Sequence, residues 1–352
     1  MTRAPAIAPA LLSWWDEAGR KDLPWQADPT PYCVWVSEIM LQQTQVTTVE
    51  RYYDRFLDEF PDVAALADAE LDRVLHLWSG LGYYARARNL HRAALRVRDE
   101  FSGRVPATLD ELISLPGIGR STAGAILALS RDQRHPILDG NAKRVLARYF
   151  GVDGWTGSTQ NLKVLWQYAD DCTPRERPAH YTQAIMDLGA TVCTRSRPSC
   201  SVCALAASCR ANLEGLTDRI PAPRPKRDKP QRQSTLVVLV RDDGAVLLER
   251  RPDSGIWGGL WCFPEADGVD DVEEWCRAKV GIAPLRIDVR PVVSHSFTHF
   301  DLDMTPVEAR VDAAPSRLMD GDRWLWYNRN QPAAVGLAAP VARMLKAIGE
   351  ER

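Results

Sequence analysis

Cys193, Cys200, Cys203 and Cys209 stand in the spacing C-x6-C-x2-C-x5-C. Four thiols within seventeen residues can all face one small inorganic centre, which forces that stretch into a closed loop rather than a helix or strand. Thiolates are soft ligands and select zinc or iron–sulfur over magnesium or calcium. Structural zinc sites usually pair two C-x2-4-C knuckles. Here only Cys200 and Cys203 form one, and flanking gaps of six and five fit a loop around a four-iron cube with one thiolate per iron. The spacing therefore favours one [4Fe–4S] cluster, with zinc, disulfides or scattered buried cysteines as the alternatives.

The remaining cysteines, Cys33, Cys172, Cys262 and Cys276, are isolated and read as small buried hydrophobes. Residues 1–10 lack the basic start and long apolar run of a signal peptide. No stretch approaches the roughly 18 apolar residues of a membrane span. The expectation is a soluble, cytoplasmic protein of a reducing compartment with no membrane partner, monomeric by default.

At 352 residues the chain suits two domains. Its formal net charge of −2 hides an uneven distribution. Residues 219–233 carry six basic side chains, one acidic and four prolines, whereas residues 1–218 and 234–352 are net acidic. Such a proline-rich basic segment builds no core and tends to extended conformations, so it reads as a linker. Solvation is its default role, with phosphate contact as the alternative.

Before the linker, apolar residues recur at helical spacing in 9–18, 33–48, 52–60, 71–77, 88–101 and 123–129. Thr108 followed by Glu111 is a capping box and predicts a helix over 109–115. The pattern is an all-α domain of about ten short helices, closed by the 193–209 cysteine loop. After the linker the period changes to two. Strands are predicted at 235–240, 245–249, 285–295 and 301–311, a hairpin turn at Asp242-Asp243-Gly244, and helices at 271–279 and 340–349, an α+β pattern.

Leu115-Pro-Gly-Ile-Gly-Arg-Ser-Thr-Ala-Gly-Ala-Ile126 carries the second strong signal. A helix ends, a turn containing Gly117 and Gly119 follows, and a new helix begins near Ser121. Glycines allow close backbone approach to a phosphate, and the N–H groups of the new helix start point at the anion. This is the hairpin of a helix–hairpin–helix element, which holds DNA backbone without reading sequence. A plain helix-to-helix turn is the alternative.

A helix–hairpin–helix element followed by this cysteine loop resembles the endonuclease III superfamily of base-excision glycosylases. Two segments, Val36-Ser-Glu-Ile-Met-Leu-Gln-Gln-Thr-Gln-Val46 and Ile137-Leu-Asp-Gly-Asn-Ala-Lys-Arg-Val145, resemble the adenine DNA glycosylase (MutY) family in particular. The resemblance extends over nearly the whole chain. It implies a monofunctional glycosylase that hydrolyses the N-glycosidic bond of adenine mispaired with 8-oxoguanine or guanine in double-stranded DNA and leaves an abasic site.

Such chemistry needs one protonated acid and one carboxylate, as in sugar hydrolysis. Glu38 lies on a largely apolar helix, where partial burial would raise its pKa. The resemblance assigns it proton donation at adenine N7 and later activation of water. Asp139 precedes an evident helix start and reads as an N-cap. The resemblance adds stabilisation of the cationic sugar, with Asn141 organising the site. At Ser121 the endonuclease III branch carries the lysine that forms a Schiff base. Serine has no amine, which points away from lyase activity.

A base inside a duplex must be flipped out to be reached. By resemblance Tyr83, in Gly80-Leu-Gly-Tyr-Tyr-Ala-Arg-Ala-Arg88, wedges beside the base opposite the adenine, and Gln43 helps open the pair. Trp25, Gln26 and Gln183 match family positions near the adenine pocket. The cluster would order a DNA-contacting loop with Arg195, Arg197 and Arg210.

Residues 251–265 resemble the approach to a Nudix hydrolase site, yet the continuation lacks the R-E-x-x-E-E-x-G carboxylates that hold magnesium. A Nudix-like fold without pyrophosphatase chemistry is expected. The resemblance makes Phe297, Thr298 and His299 the contacts to 8-oxoguanine. An endonuclease III-like pyrimidine glycosylase with lyase activity is disfavoured by Glu38, Ser121 and the second domain. A non-catalytic iron–sulfur DNA-binding protein has no need of both Glu38 and Asp139.

Overall fold

The computed structural model describes residues 7–225, 228–312 and 323–350. By contact the chain divides into two compact units. One comprises residues 1–68 and 89–226, the other residues 69–88 and 227–352. Lys226 and Arg227, part of the expected linker, lie outside the described residues, as do residues 1–6.

Helices run through the N-terminal two thirds: α1 Ile7–Ala18, α2 Pro24–Ala27, α3 Pro31–Leu41, α4 Val46–Glu59, α5 Val63–Asp68, α6 Leu71–Leu77, α7 Ala85–Glu100, α8 Leu109–Ser114, α9 Arg120–Arg131, α10 Gly140–Phe150, α11 Thr159–Cys172, α12 Pro178–Asp187 and α13 Arg210–Leu213. Side-chain caps explain several starts. Thr30 accepts from Cys33 N, Thr108 from Glu111 N, Ser158 from Asn161 N, and Asp139 from Asn141 N and Ala142 N. The expected Thr108–Glu111 pair is present, with the hydroxyl 2.6 Å from Glu111 Oε2. The first unit's core joins Ile7 and Leu11 of α1 to Leu146 of α10, Leu165 of α11 and Ile185 of α12.

The single helix expected over 33–48 is in fact two, α3 and α4, because Gln43 adopts φ 59° and breaks the run. After α12 the chain underwinds into a π turn, Leu188–Val192, and the cysteine loop that follows contains two short 3-10 turns, Cys200–Val202 and Ala206–Ser208.

The second unit is built on a mixed sheet: β1 Gln231–Arg241, β2 Val246–Arg250, β3 Trp261–Cys262, β4 Glu265–Ala266, β5 Arg286–Val289, β6 Val293–Ser296, β7 Asp301–Val311 and β8 Trp324–Tyr327. The main order is β3-β2-β1-β7-β5, with β4 on β1, β6 on β7 and β8 on β2. β1 and β7 run parallel from Gln231 opposite Asp301 to Arg241 opposite Val311, and the other pairs are antiparallel. Residues 236–240 are buried without alternation, as in a central strand covered on both faces. Val237, Leu239 and Leu247 pack on Val272, Cys276 and Val280 of a helical stretch formed by α14 Val272–Trp275 and a π turn, Cys276–Val280. α15, Ala339–Glu350, buries Val341, Met344 and Leu345.

Three expectations shift. β1 starts at Gln231, inside the segment expected as linker, because it pairs with β7 from its first residue. The strand expected over 285–295 is two strands, β5 and β6, parted at residues 290–292, where Pro291 has no N–H to give a ladder. Residues 69–88, which hold the helix expected over 71–77 and the glycine-bearing loop after it, belong by contact to the sheet-bearing unit. Within it Asp72 Oδ2 accepts from Trp261 Nε1 at 3.3 Å, Tyr84 donates to Leu337 O at 3.1 Å, and Arg88 donates to Gly258 O at 2.6 Å.

Candidate active site

The first unit holds a cavity of about 430 Å³, lined among others by Glu38, Ser121, Asp139, Asn141, Trp25 and Gln183. α3 contributes Glu38 between the buried Ser37 and Ile39. Burial pushes its carboxyl up to about 8, and the negative charge of Asp139 pushes in the same direction. A carboxyl so placed keeps its proton at neutral pH and can serve as an acid.

Asp139 caps α10. Its Oδ1 accepts from Ala142 N at 2.8 Å and its Oδ2 from Asn141 N at 3.1 Å. These bonds fix the carboxylate at the rim of the same cavity, so the cap and the cavity wall are one residue. Asn141 Oδ1 accepts from Arg144 Nη2 at 2.8 Å.

Ser121, expected among the hairpin's DNA contacts, also lines this cavity, and its Oγ accepts from Leu138 N at 2.9 Å. The first turn of α9 thereby holds the segment that carries Asp139. Gly117 makes the hairpin turn at φ 81°, and a Cβ there would come within 2.7 Å of Asn89 Cβ. Gly119 is the N-cap of α9, with φ −93°. Gln43 reaches the cavity from its left-handed backbone, a conformation that costs energy in any residue but glycine.

Trp25 is buried and stands edge-on to Tyr53 at 5.5 Å. Gln26 is not brought into this cavity. Its Oε1 accepts from Leu23 N at 3.1 Å and its Nε2 donates to Arg20 O at 3.0 Å, so its amide closes α2, and it lines an adjoining cleft with Trp25 and Gln183. Gln183 donates from Nε2 to Asp187 Oδ1 at 2.9 Å. Neither Asp187 nor Arg20 was singled out in the sequence. The signal for Asp187 was its four-residue step from Gln183, which stacks the two on one face of α12; Arg20 carried none.

The cysteine loop hangs from α10. Arg148, 2% exposed, donates to Cys193 Sγ at 3.3 Å, Thr194 O at 2.7 Å, Arg195 O at 3.0 Å and Ile220 O at 2.8 Å. One turn earlier Arg144 donates to Cys193 O at 2.7 Å and Gly189 O at 2.6 Å. Cys193, Cys200, Cys203 and Cys209 are free and partly buried. Burial raises the Cys203 and Cys209 thiols, and the other loop cysteines add to each shift, so the four sulfurs lie within electrostatic reach of one another. Among the described residues no three His, Cys, Asp or Glu side chains close on a single-ion site. Arg210, which follows Cys209 at the start of α13, pairs with Glu214 at 2.8 Å.

A second cavity, of about 870 Å³, lies wholly in the sheet-bearing unit and brings together Tyr83, Phe297, Thr298 and His299. Tyr83 is 48% exposed, with φ 48°. Trp257 has φ 52°, and its ring lies 5.5 Å from Phe297 and 5.8 Å from His295. Lys229 donates to Ser296 Oγ at 2.9 Å and Phe297 O at 2.7 Å, and the Arg232 guanidinium covers the Phe300 ring at 4.5 Å. Residues of the expected linker thus brace the 296–300 turn. Desolvation and Arg343 hold His295 below its ordinary pKa.

No helix among the described residues is long and apolar enough to cross a membrane. Residues 36–169 match the HhH-GPD superfamily base excision DNA repair protein family, and residues 235–347 match the NUDIX domain. An adenine DNA glycosylase of Buchnera aphidicola subsp. Acyrthosiphon pisum (strain APS) is 37% identical over 341 residues, covering 96% of this chain and 95% of its own. The Homo sapiens adenine DNA glycosylase is 33% identical, with 95% of this chain and 72% of its own covered. A solved thermostable thymine-DNA glycosylase, 26% identical, superposes with TM-score 0.53 over 58% of this chain and 94% of its own. Helical glycosylase domain, Nudix-like domain and near full-length similarity agree, and the chain belongs to the adenine DNA glycosylase family.

Proposed function

We propose that this DNA glycosylase excises adenine paired with 8-oxoguanine, or with guanine, from double-stranded DNA and leaves an abasic site. The observation that carries the reading is Glu38, a carboxyl pushed up to about 8 in the cavity that Asp139 also lines. Glu38 donates its proton to N7 of the flipped adenine as the C1′–N9 bond breaks, so the base leaves neutral. The Asp139 carboxylate, held by Asn141 N and Ala142 N, stabilises the cationic sugar. Glu38, now a carboxylate, takes a proton from the water that attacks C1′ and is restored. Ser121 supplies no amine, and its hydroxyl is engaged by Leu138 N, which supports hydrolysis without Schiff-base strand cleavage.

The donor set of the loop fits one [4Fe–4S] cluster, held by Cys193, Cys200, Cys203 and Cys209. When bound, the cluster would cross-link the loop that presents Arg195 and Arg197 to DNA. Gly117 and Gly119 let the hairpin approach the DNA backbone, Gln43 helps open the pair, and Tyr83 wedges beside the opposite base. Phe297, Thr298 and His299 read 8-oxoguanine. The protein acts as a monomer, cytoplasmic and associated with DNA.

The test is cleavage of duplexes holding A:8-oxoguanine, A:G or A:T, with and without alkali, by the wild type and Glu38→Gln. Alkali-dependent breaks at adenine, strongest opposite 8-oxoguanine and lost in the variant, are expected. Breaks without alkali would argue for a lyase, and no breaks at all would remove the reading.

A further inference from the structure

Asp187 is 1% exposed and accepts five hydrogen bonds. Its Oδ2 takes Trp15 Nε1 at 3.2 Å and Arg20 N at 3.0 Å. Its Oδ1 takes Arg20 Nε at 2.8 Å, Arg20 Nη2 at 2.5 Å and Gln183 Nε2 at 2.9 Å. A buried carboxylate is tolerated where it is paired and hydrogen-bonded, and the Arg20 guanidinium supplies the pair. With those partners it acts only as an acceptor.

This saturation has a consequence for Gln183, which is 7% exposed and lines the cavity that holds Glu38. An amide has a donor end and an acceptor end. Turning it over would set Gln183 Oε1 against Asp187 Oδ1 with no proton between them, and would cost the hydrogen bond as well. Among the described residues, no protein group donates to Gln183 Oε1. A nearly buried acceptor is thus left over, on a residue of the cavity wall.

We propose that Asp187 is a positioning residue that fixes the Gln183 amide with its carbonyl oxygen toward the cavity, so that the cavity selects a purine bearing a hydrogen-bond donor at its 6-position. Adenine has such a donor, its 6-amino group. A 6-oxo purine sets oxygen against oxygen and leaves both acceptors without a donor from the other. Arg20, which also lines the cavity, pairs with Asp187 and holds it in place. This inference rests on adenine excision by the wild type, and would fail separately from it.

The experiment is single-turnover excision by the full-length protein of adenine and of hypoxanthine, each opposite 8-oxoguanine. Wild type is compared with Asp187→Asn, Gln183→Met and the double variant. The ratio of the two rates is the readout, because comparing it between variants cancels the intrinsic leaving-group chemistry. Asp187→Asn is expected to raise the hypoxanthine-to-adenine ratio about 10-fold or more, since the freed amide can turn its NH2 to the 6-oxo group. On the Gln183→Met background Asp187→Asn should leave the ratio unchanged, because its effect runs through Gln183. A purely structural role slows both substrates alike, so an unchanged ratio in folded Asp187→Asn overturns the proposal. If that variant does not fold, Gln183→Met alone still decides against it by keeping the wild-type ratio. Absence of adenine excision by the wild type would instead overturn the function on which the inference rests.

Discussion

Arg148 donates from Nη1 to Cys193 Sγ at 3.3 Å, and it does so from the helix whose first residue follows Asp139. α10 therefore carries the carboxylate of the cavity at its N-cap and the first cysteine of the loop on its flank. Arg144 lies between them, bonded to Asn141 Oδ1 on one side and Cys193 O on the other. Anything that loosens the cysteine loop pulls on the helix that aims Asp139.

Replacing Arg148 with methionine keeps the bulk but removes the donors to the buried Ile220 O and to the partly buried Thr194 O and Arg195 O. A buried acceptor left unsatisfied, as at Ile220 O, costs about 1–3 kcal/mol. The expected outcome is a Tm lowered by more than about 5 °C, with weaker visible absorbance after cluster reconstitution. Thermal melts and absorption spectra check it, and a variant with unaltered Tm and spectrum would show that the bonds carry little.

Glu38 gives a pH dependence whose sign is fixed by its raised pKa. The proposed mechanism uses the Glu38 proton, so single-turnover adenine excision should fall as pH rises through about 8. Stability moves likewise. Between the ordinary value of 4.5 and about 8 the folded carboxyl keeps a proton that the unfolded chain releases, so folding weakens as pH rises across that window. Glu38→Gln should abolish excision and raise Tm more at pH 8 than at pH 5. Equal Tm changes at both values would contradict the raised pKa.

Gly117→Ala meets two obstacles at once, a φ of 81° and an Asn89 Cβ 2.7 Å from the new methyl. The expected loss is about 1–3 kcal/mol, together with weaker binding to every duplex regardless of sequence or lesion. Fluorescence anisotropy with damaged and undamaged duplexes tests this. A loss confined to damaged DNA would place the hairpin's role elsewhere.

Tyr83 and Phe297 line one cavity. Tyr83→Ala and Phe297→Ala should each reduce the preference for A:8-oxoguanine over A:G by about 10-fold, consistent with stacking worth about 1–3 kcal/mol per base. Their combined effect should fall short of the product of the two. Competition kinetics on the two mispairs supply the ratios, and fully multiplicative effects would separate the residues.

What could be read along the chain was whatever is written locally. The Thr108–Glu111 cap, the Gly117 turn and the strand over residues 301–311 each sit within a dozen or so residues and appear as expected. Glu38 and Asp139 were nominated by motif, and the fold sets both on one cavity. The break at Gln43 was not legible, because apolar periodicity runs through it and only the left-handed backbone ends the helix. Gln26 reads as a pocket residue; the structure sets it in an adjoining cleft with its amide capping the start of α2 through Leu23 N. Asp187 escaped notice because one carboxylate in a helix looks like any other until Trp15 and Arg20, far off in sequence, converge on it.

The grouping of residues 69–88 with the strands bears on how the protein is made. Tyr84 and its acceptor Leu337 are 253 residues apart. A ribosome adding about 5–20 residues per second needs tens of seconds to cover that distance. Throughout it, α6 and the apolar side chains of Leu75 and Trp78, fully buried in the finished molecule, lack their strand-side neighbours. The segment around Tyr83 and Tyr84 is thus among the early parts of the chain to leave the exit tunnel and among the late ones to settle. A nascent chain halted before Trp257 would leave those side chains exposed, the kind of surface that chaperones hold and proteases cut.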